Sequence, residues 1–152
     1  MNYKKIYLKK GKESSLQRFH PWVFSGAVAR ADKGIAEGEI VEVYTANQEF
    51  IAVGHFQIGS IAVRVLSFNQ QTINKAFWTK RLVAAYQMRK DVGLDYTDTH
   101  SSFRLVHGEG DFLPGLIVDF YGSTAVMQAH SVGMHMHRQE IAECIVAISE
   151  GK

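Results

Sequence analysis

Residues 11–26 read Gly-Lys-Glu-Ser-Ser-Leu-Gln-Arg-Phe-His-Pro-Trp-Val-Phe-Ser-Gly, a polar and basic segment that leads into a short apolar run. Pro21 disfavours helical backbone angles at His20, so a short helix over residues 14–19 is predicted to end there. The run at residues 22–24 suits a strand, and we expect its two aromatic side chains to enter a core. The Ser-Gly pair that closes the segment favours a tight turn.

Short stretches rich in valine and isoleucine recur on both sides of this segment, separated by turn residues. The predicted strands are residues 6–8, 27–29, 39–44, 50–56 and 61–68. In the third of these, valines alternate with acidic residues, which is typical of a half-buried strand. Short strands at such close spacing favour a small β-barrel over residues 1–72.

The apolar period becomes helical after a polar break at residues 69–72, which predicts a helix over residues 74–92. Together with the polar connection at residues 95–100, it forms a linking segment over residues 73–98.

The last part of the chain, residues 99–152, combines strands with one helix. The predicted elements are a strand at 103–107, a hairpin of strands 116–120 and 124–128, and a helix at 136–148. A hairpin and one helix make a poor core of their own, so we expect part of a larger domain. The predicted fold class is α+β, a small barrel followed by a linking helix and a partial β-β-α unit.

Basic residues are concentrated in two parts of a chain whose net charge is only +2. Residues 1–33 contain eight lysines and arginines against two acidic residues, and residues 73–93 contain five against one. Such segregation indicates an anionic partner, and RNA is the commonest anionic partner of a cytoplasmic protein. A solvated basic face is the alternative.

Composition excludes several classes of protein. No run approaches the ~18 apolar residues that cross a membrane, and the N-terminus lacks the apolar centre of a signal peptide. The single cysteine, Cys144, rules out an internal disulfide and fits a reducing compartment. We therefore expect a cytoplasmic protein with no membrane partner.

Candidate catalytic and metal-binding residues are few. Glu109 and Asp111 lie in a glycine turn and could act as acid and base, but support of the turn by Asp111 is favoured. The turn also lacks the third glycine and the following helix of a dinucleotide-binding loop. His135 and His137 have no third ligand at suitable spacing, so no metal site is predicted. Cys144 falls on an apolar helical stripe and is interpreted as core.

Residues 104–122 read Arg-Leu-Val-His-Gly-Glu-Gly-Asp-Phe-Leu-Pro-Gly-Leu-Ile-Val-Asp-Phe-Tyr-Gly. This segment is similar to a Glu-x-Asp-x-Leu-Pro-Gly-Leu motif of bacterial large-subunit rRNA cytosine methyltransferases. Residues 11–26 resemble the opening of the same family, and the two motifs occur in the family's order and at similar spacing. These enzymes depend on S-adenosylmethionine and make 5-methylcytosine. The resemblance covers essentially the whole chain.

The resemblance implies a three-part enzyme with a PUA domain, a central β-β-α-β-β domain and a Rossmann-like methyltransferase domain. This chain would hold the PUA domain at residues 1–72, the linking helix, and part of the central domain at 99–152. The family's cofactor loop, Pro-Pro motif and catalytic cysteine would belong to the third domain. We therefore expect no catalytic or cofactor-binding residue here, while S-adenosylmethionine would bind to the full-length parent.

The function predicted from these observations is RNA binding that positions ribosomal RNA for the catalytic domain. The expected RNA-binding residues lie on the rim of the barrel, on the outer face of a strand and on the linking helix: Lys10, Lys12, Arg18, His20, Ser25, Arg64 and Arg81. The alternative is a structural or interaction module that serves domain assembly or dimerisation without binding RNA. A homodimer is compatible with both interpretations.

Overall fold

A computed structural model describes residues 3–94 and 102–150 of the chain. The chain divides into two compact units, Met1–Thr72 and Ile73–Lys152. The polar connection predicted at residues 95–100 lies outside the described residues, and the three-part division into residues 1–72, 73–98 and 99–152 stays a prediction. None of the described helices is long and apolar enough to cross a membrane.

The first unit consists of one six-stranded sheet and one short helix. In chain order the elements are β1 (Lys4–Leu8), α1 (Ser14–Gln17), β2 (Trp22–Phe24), β3 (Val28–Ala31), β4 (Ile40–Tyr44), β5 (Phe50–Phe56) and β6 (Ile61–Ser67). The strand order across the sheet is β2-β6-β5-β4-β1-β3. All neighbouring strands are antiparallel except β1 and β4, which run parallel.

The connection between the two edge strands forces this sheet to curl. In a flat sheet, five spacings of about 4.8 Å would hold β2 and β3 about 24 Å apart. Only the 3-10 turn Ser25–Ala27 joins them, and the four residue steps from Phe24 to Val28 span about 14 Å at most. The sheet therefore curls into a half-barrel, which confirms the predicted barrel-like fold of this part of the chain. Its buried interior is apolar: Ile6, Leu8, Leu16, Val23, Val41, Val43, Ala52, Val63 and Val65.

The predicted short helix before Pro21 is confirmed as α1, which covers the barrel with the buried side chain of Leu16. The chain leaves the helix through Phe19, whose φ of 62° lies in the left-handed region. The backbone N–H of His20 then donates to the carbonyl of Ser15, 3.0 Å away, and this bond fixes the direction in which β2 begins.

The described residues of the second unit, 73–94 and 102–150, form a three-stranded antiparallel sheet and three helices. Its elements are α2 (Lys75–Asp91), β7 (Ser102–His107), β8 (Leu116–Tyr121), β9 (Thr124–Ala129), α3 (Val132–Met136) and α4 (Arg138–Glu150). The strand order is β7-β8-β9, and Tyr121 pairs with Thr124 at the predicted hairpin. Helix α2 packs against α4 and β7. The predicted α+β class is thereby confirmed.

The helix boundaries agree with capping chemistry. Asn74 caps α2, since its side chain accepts a hydrogen bond from the N–H of Phe77 at 3.1 Å. The helix predicted at residues 136–148 corresponds to α4, and the short helix α3 precedes it. Ser131 caps α3 by accepting from the N–H of Met134 at 3.3 Å, a start signal that the sequence analysis missed.

Candidate nucleic-acid interface

Strand β2 presents its aromatic side chains outward. Because successive residues of a strand point to opposite faces, only one face of this three-residue strand can enter the barrel. Val23 occupies that face and is buried, whereas Phe24 is 47% exposed and Trp22 is partly exposed. The expectation that both aromatic residues belong to the core was therefore wrong for Phe24, and Trp22 is only partly covered.

His20 completes a cluster with these two rings. The centroid of its imidazole lies 5.7 Å from that of Trp22 and 5.9 Å from that of Phe24. The rings of Trp22 and Phe24 meet edge to face at 6.2 Å. A hydrogen bond orients the imidazole: the backbone N–H of Trp22 donates to its Nδ1 atom at 3.2 Å. Three rings thus hold one another in place at the surface.

Arg64 adds a cation to this cluster. It lies opposite Trp22 in the pairing of β2 with β6, so the two side chains leave the same face of the sheet. Its guanidinium carbon is 5.9 Å from the Trp22 ring centroid, and its Nε donates to the side-chain oxygen of Gln57 at 3.0 Å. We call His20, Trp22, Phe24 and Arg64 the aromatic patch.

Three further predicted residues lie in the loops on either side of α1 and in the turn after β2. Arg18 directly follows α1, and its side chain is exposed. Lys12 is exposed before the helix, where its backbone N–H donates to the carbonyl of Lys9 at 3.0 Å. Ser25 begins the turn after β2, and its backbone N–H donates to the carbonyl of Ser60 at 2.9 Å.

The last two predicted residues, Lys10 and Arg81, lie at other places in the fold. Lys10 lines a groove with Tyr7 and Arg30 on the outer side of β1 and β3. Arg81 belongs to the second unit, where its guanidinium carbon lies 5.4 Å from the ring of Phe77 and 5.3 Å from that of Phe112. Burial lowers the pKa of the Arg81 guanidinium from its ordinary value. RNA binding by any of the seven residues stays a prediction.

The acidic turn of the second unit is structural. Asp111 accepts a hydrogen bond from the backbone N–H of His107 at 2.6 Å, which confirms the expected support of the turn. Arg89 also binds both oxygens of this carboxylate, a pairing that sequence reasoning missed. The turn itself is a 3-10 helix at Gly108–Asp111, and β8 follows it. Asp111 is therefore engaged by the fold and is not placed to act as an acid or a base.

Cys144 and the histidines also give no catalytic or metal site among the described residues. Cys144 is fully buried, and the Thr79 hydroxyl donates to its sulfur at 3.4 Å, so the interpretation as core is confirmed. Within residues 3–94 and 102–150, no group of three or more His, Cys, Asp or Glu side chains could hold a metal ion.

Comparison with known protein families identifies the class of domain in the first unit. Residues 6–68 match the model of the PUA-like domain family. This range spans the strands of the curled sheet, so the first unit carries a PUA-like domain.

The relatives then extend the similarity to nearly the whole chain. The chain is 37% identical over 142 residues to ribosomal RNA large subunit methyltransferase I of Vibrio parahaemolyticus, a match that covers 93% of this chain and 35% of the relative. The same enzyme of Cronobacter sakazakii is 39% identical over 150 residues, covering 95% of this chain and 36% of the relative. The chain therefore corresponds to the N-terminal part of this methyltransferase family, as its two motifs predicted. It spans about a third of the length of these relatives.

Solved structures share the fold. A Streptococcus mutans protein described as a SAM-dependent methyltransferase superposes with a TM-score of 0.79 at 17% identity, covering 96% of this chain and 38% of that chain. A methyltransferase solved in complex with SAH gives the same TM-score and identity, covering 96% of this chain and 37% of that chain.

Proposed function

We propose that this chain is the RNA-binding portion of an S-adenosylmethionine-dependent rRNA (cytosine-5) methyltransferase and positions rRNA for a catalytic domain that this sequence does not include. The observation that carries the proposal is the aromatic patch on a PUA-like domain. Exposed aromatic clusters on a protein surface often mark interaction sites, and RNA offers stacking partners for both the rings and the arginine.

The chemistry of the patch suits RNA in two ways. Unpaired bases stack on aromatic rings and on guanidinium planes, which Trp22, Phe24 and Arg64 present together. Arg18 and Lys12 flank the patch in sequence and would contact phosphates, which position the RNA without reading its sequence. Selection of the target would then come from RNA shape, and the catalytic domain would expose the base for reaction.

The described residues do not fit S-adenosylmethionine. A cofactor cradle of the dinucleotide type needs a glycine loop between a strand and a helix N-terminus, with a free carboxylate for the ribose. Here Gly108–Asp111 leads into β8, and Arg89 already binds both carboxylate oxygens of Asp111. We therefore assign cofactor binding to the part of the relatives that this chain does not match. The methyl transfer, which we place in the cytoplasm, would take place there as well.

A specific observation favours the second candidate function, an interaction module. In the second unit, β9 and α4 expose apolar side chains, among them Val126 at 41% and Val146 at 49%. A cavity of about 480 Å³ lies between the β8–β9 hairpin and α4, with Ile145 and Val146 in its lining. This surface suits assembly with another protein surface. Neither the relatives nor the described residues support the homodimer that was compatible with both interpretations, so we do not propose a second copy as the partner.

The experiment that separates the two functions is binding of this chain to a large-subunit rRNA fragment across a salt series. An RNA-positioning module should lose affinity steeply as salt rises, and Arg18→Ala should reduce the magnitude of the salt slope by about one. Lys33→Ala removes an equally exposed charge from the turn after β3 and should change the slope less. Absence of binding at low salt would contradict RNA positioning and favour the interaction module.

A further inference from the structure

A row of side chains crosses the outer face of the barrel on strands that the aromatic patch does not include. Arg30 of β3 pairs with Tyr7 of β1, which pairs with Tyr44 of β4, which in turn pairs with Phe50 of β5. Because paired residues of neighbouring strands leave the same face, the four side chains lie side by side. Tyr7 and Tyr44 have ring centroids 5.7 Å apart, and the rings of Tyr44 and Phe50 meet edge to face at 5.9 Å.

The arginine at the end of this row is held flat against a ring. The guanidinium carbon of Arg30 lies 3.4 Å from the centroid of Tyr7, which is a stacking distance. Tyr7 is partly buried between its strand neighbours, whereas Arg30 is exposed. One face of the guanidinium plane is thus covered by Tyr7, and the other is turned away from the ring, where a further planar group can stack on it. The arginine is preorganised for that contact, so little side-chain entropy remains to be lost on binding.

A groove of about 320 Å³ adjoins this stack. Its lining includes Tyr7, Arg30 and two exposed lysines, Lys9 and Lys10. Lys9 is anchored, because its Nζ donates to the carbonyl of Gly26 at 2.9 Å. Lys10 extends from the same loop. A volume of this order lies at the small end of ligand sites. The groove therefore combines a planar stacking surface with two cations that can bind a phosphate.

The groove and the aromatic patch flank the same turn. Residues 25–27 join β2, which carries Phe24 of the patch, directly to β3, which carries Arg30. The backbone N–H of Lys9 also donates to the carbonyl of Ala27 at 2.8 Å, so the lysine loop is fixed to this turn. A strand of RNA bound at the patch would need only to cross the turn to reach the groove. This continuity favours RNA over an unrelated small anion as the occupant.

We propose that this groove is a second RNA site, which takes one unpaired nucleotide with its base stacked on Arg30 and its phosphate between Lys9 and Lys10. The identity of the occupant rests on the proposed function, but the site is separate from the patch. A separate site also gives Lys10 a role: it lines the groove, whereas Arg18, His20 and Arg64 belong to the aromatic patch or its flanking loop. The two sites together would hold a single strand on both sides of the turn at residues 25–27.

The test uses the whole chain and two probes, a short fluorescein-labelled oligoadenylate and the rRNA fragment, in anisotropy titrations at one salt concentration. Arg30→Ala should weaken oligoadenylate binding about tenfold, the size expected for loss of one stacked base. Arg30→Lys keeps the charge but not the plane and should recover little of that loss. Lys33→Ala, which removes an exposed charge from the turn that follows β3, should weaken binding about twofold at most.

The outcomes separate the groove from the proposed function. Equal effects of Arg30→Ala and Lys33→Ala, or wild-type binding by Arg30→Lys, would overturn the stacked site. Binding of rRNA that depends on Trp22 but not on Arg30 or Lys10 would also overturn it and leave the proposed function intact. Oligoadenylate binding that requires Arg30, without any binding of the rRNA fragment, would uphold the groove and contradict the proposed function. Lys10→Ala, which alters only an exposed side chain, repeats the test if Arg30→Ala does not fold.

Discussion

Arg89 and Asp111 form a bidentate ion pair across 22 positions of the sequence. Nη1 of the arginine lies 2.5 Å from Oδ1 of the carboxylate, and Nη2 lies 2.7 Å from Oδ2. The Asp111 side chain is buried, with an exposed fraction of 2%, and the Arg89 side chain is largely covered, with an exposed fraction of 13%. The Nε of Arg89 also donates to the carbonyl of Arg104 at 3.0 Å. The pair therefore joins the end of α2 to β7 and to the turn that follows it.

Arg89→Ala should destabilise the chain by about 3–5 kcal/mol, because it leaves the Asp111 carboxylate buried without its counter-charge. The measurement is urea unfolding followed by circular dichroism. Lys75→Ala is the matched control, since it breaks an exposed ion pair of the same unit, Lys75 with Glu143. We expect its unfolding midpoint to stay close to that of the wild type. Equal midpoints for the two variants would contradict a dominant role of the buried pair.

This pair also shows what sequence patterns can and cannot predict. The helical period predicted α2, and the glycine turn predicted a structural role for Asp111. Arg89 lies in the last turn of α2, where a basic residue is favourable in any helix and so gives no sign of a specific partner. That the two side chains meet depends on how α2 packs on β7. Such packing is a tertiary property, and no local spacing encodes it.

The aromatic patch was missed for a different reason. The residue pattern predicted a strand at residues 22–24 and a turn after it, and both are present. A strand of three residues gives no alternation long enough to show which face is buried, so the large apolar side chains were assigned to the core. In the structure, the side chain that is buried in the interior is that of Val23. The usable signal was the neighbouring His20 and Arg64, whose polar groups favour the outer face.

Gly54→Ala should prevent normal pairing of β5 with β6. A Cβ atom at this position would overlap the backbone carbonyl oxygen of Arg64 and lie 2.8 Å from its carbonyl carbon, and backbone cannot move aside as a side chain can. We expect a loss of about 3 kcal/mol in unfolding free energy, the upper part of the usual range for overpacking. Gly26→Ala is the control, because the methyl group that alanine adds there would meet no atom within 4 Å beyond its chain neighbours. A thermal melt in which Gly26→Ala is the less stable variant would contradict this assignment.

His137 should make stability depend on pH. Burial lowers the pKa of its imidazole, and the Glu140 carboxylate opposes this effect in part. The unfolded state therefore binds the proton more readily than the folded state does. This contribution to stability is complete above about pH 6.5, the ordinary pKa, and is lost as the pH falls from there toward the lower folded pKa. As the pH is lowered through this window, the urea midpoint should fall in the wild type and fall less in His137→Gln. Plots of midpoint against pH that run parallel for the two proteins would contradict the role of His137.

Phe24→Ala should weaken binding of the large-subunit rRNA fragment about tenfold, since it removes one ring of the stacking surface. Phe24 is 47% exposed, so the variant should fold as the wild type does. Tyr121→Ala is the matched control: it removes an aromatic side chain that is 56% exposed and belongs to the second unit. Anisotropy titrations at low salt compare the two. The RNA-positioning function requires a selective loss in Phe24→Ala, because stacking depends on the ring itself. Equal affinities for both variants would mean that any binding arises from charge alone, and the aromatic patch would then have no part in holding RNA.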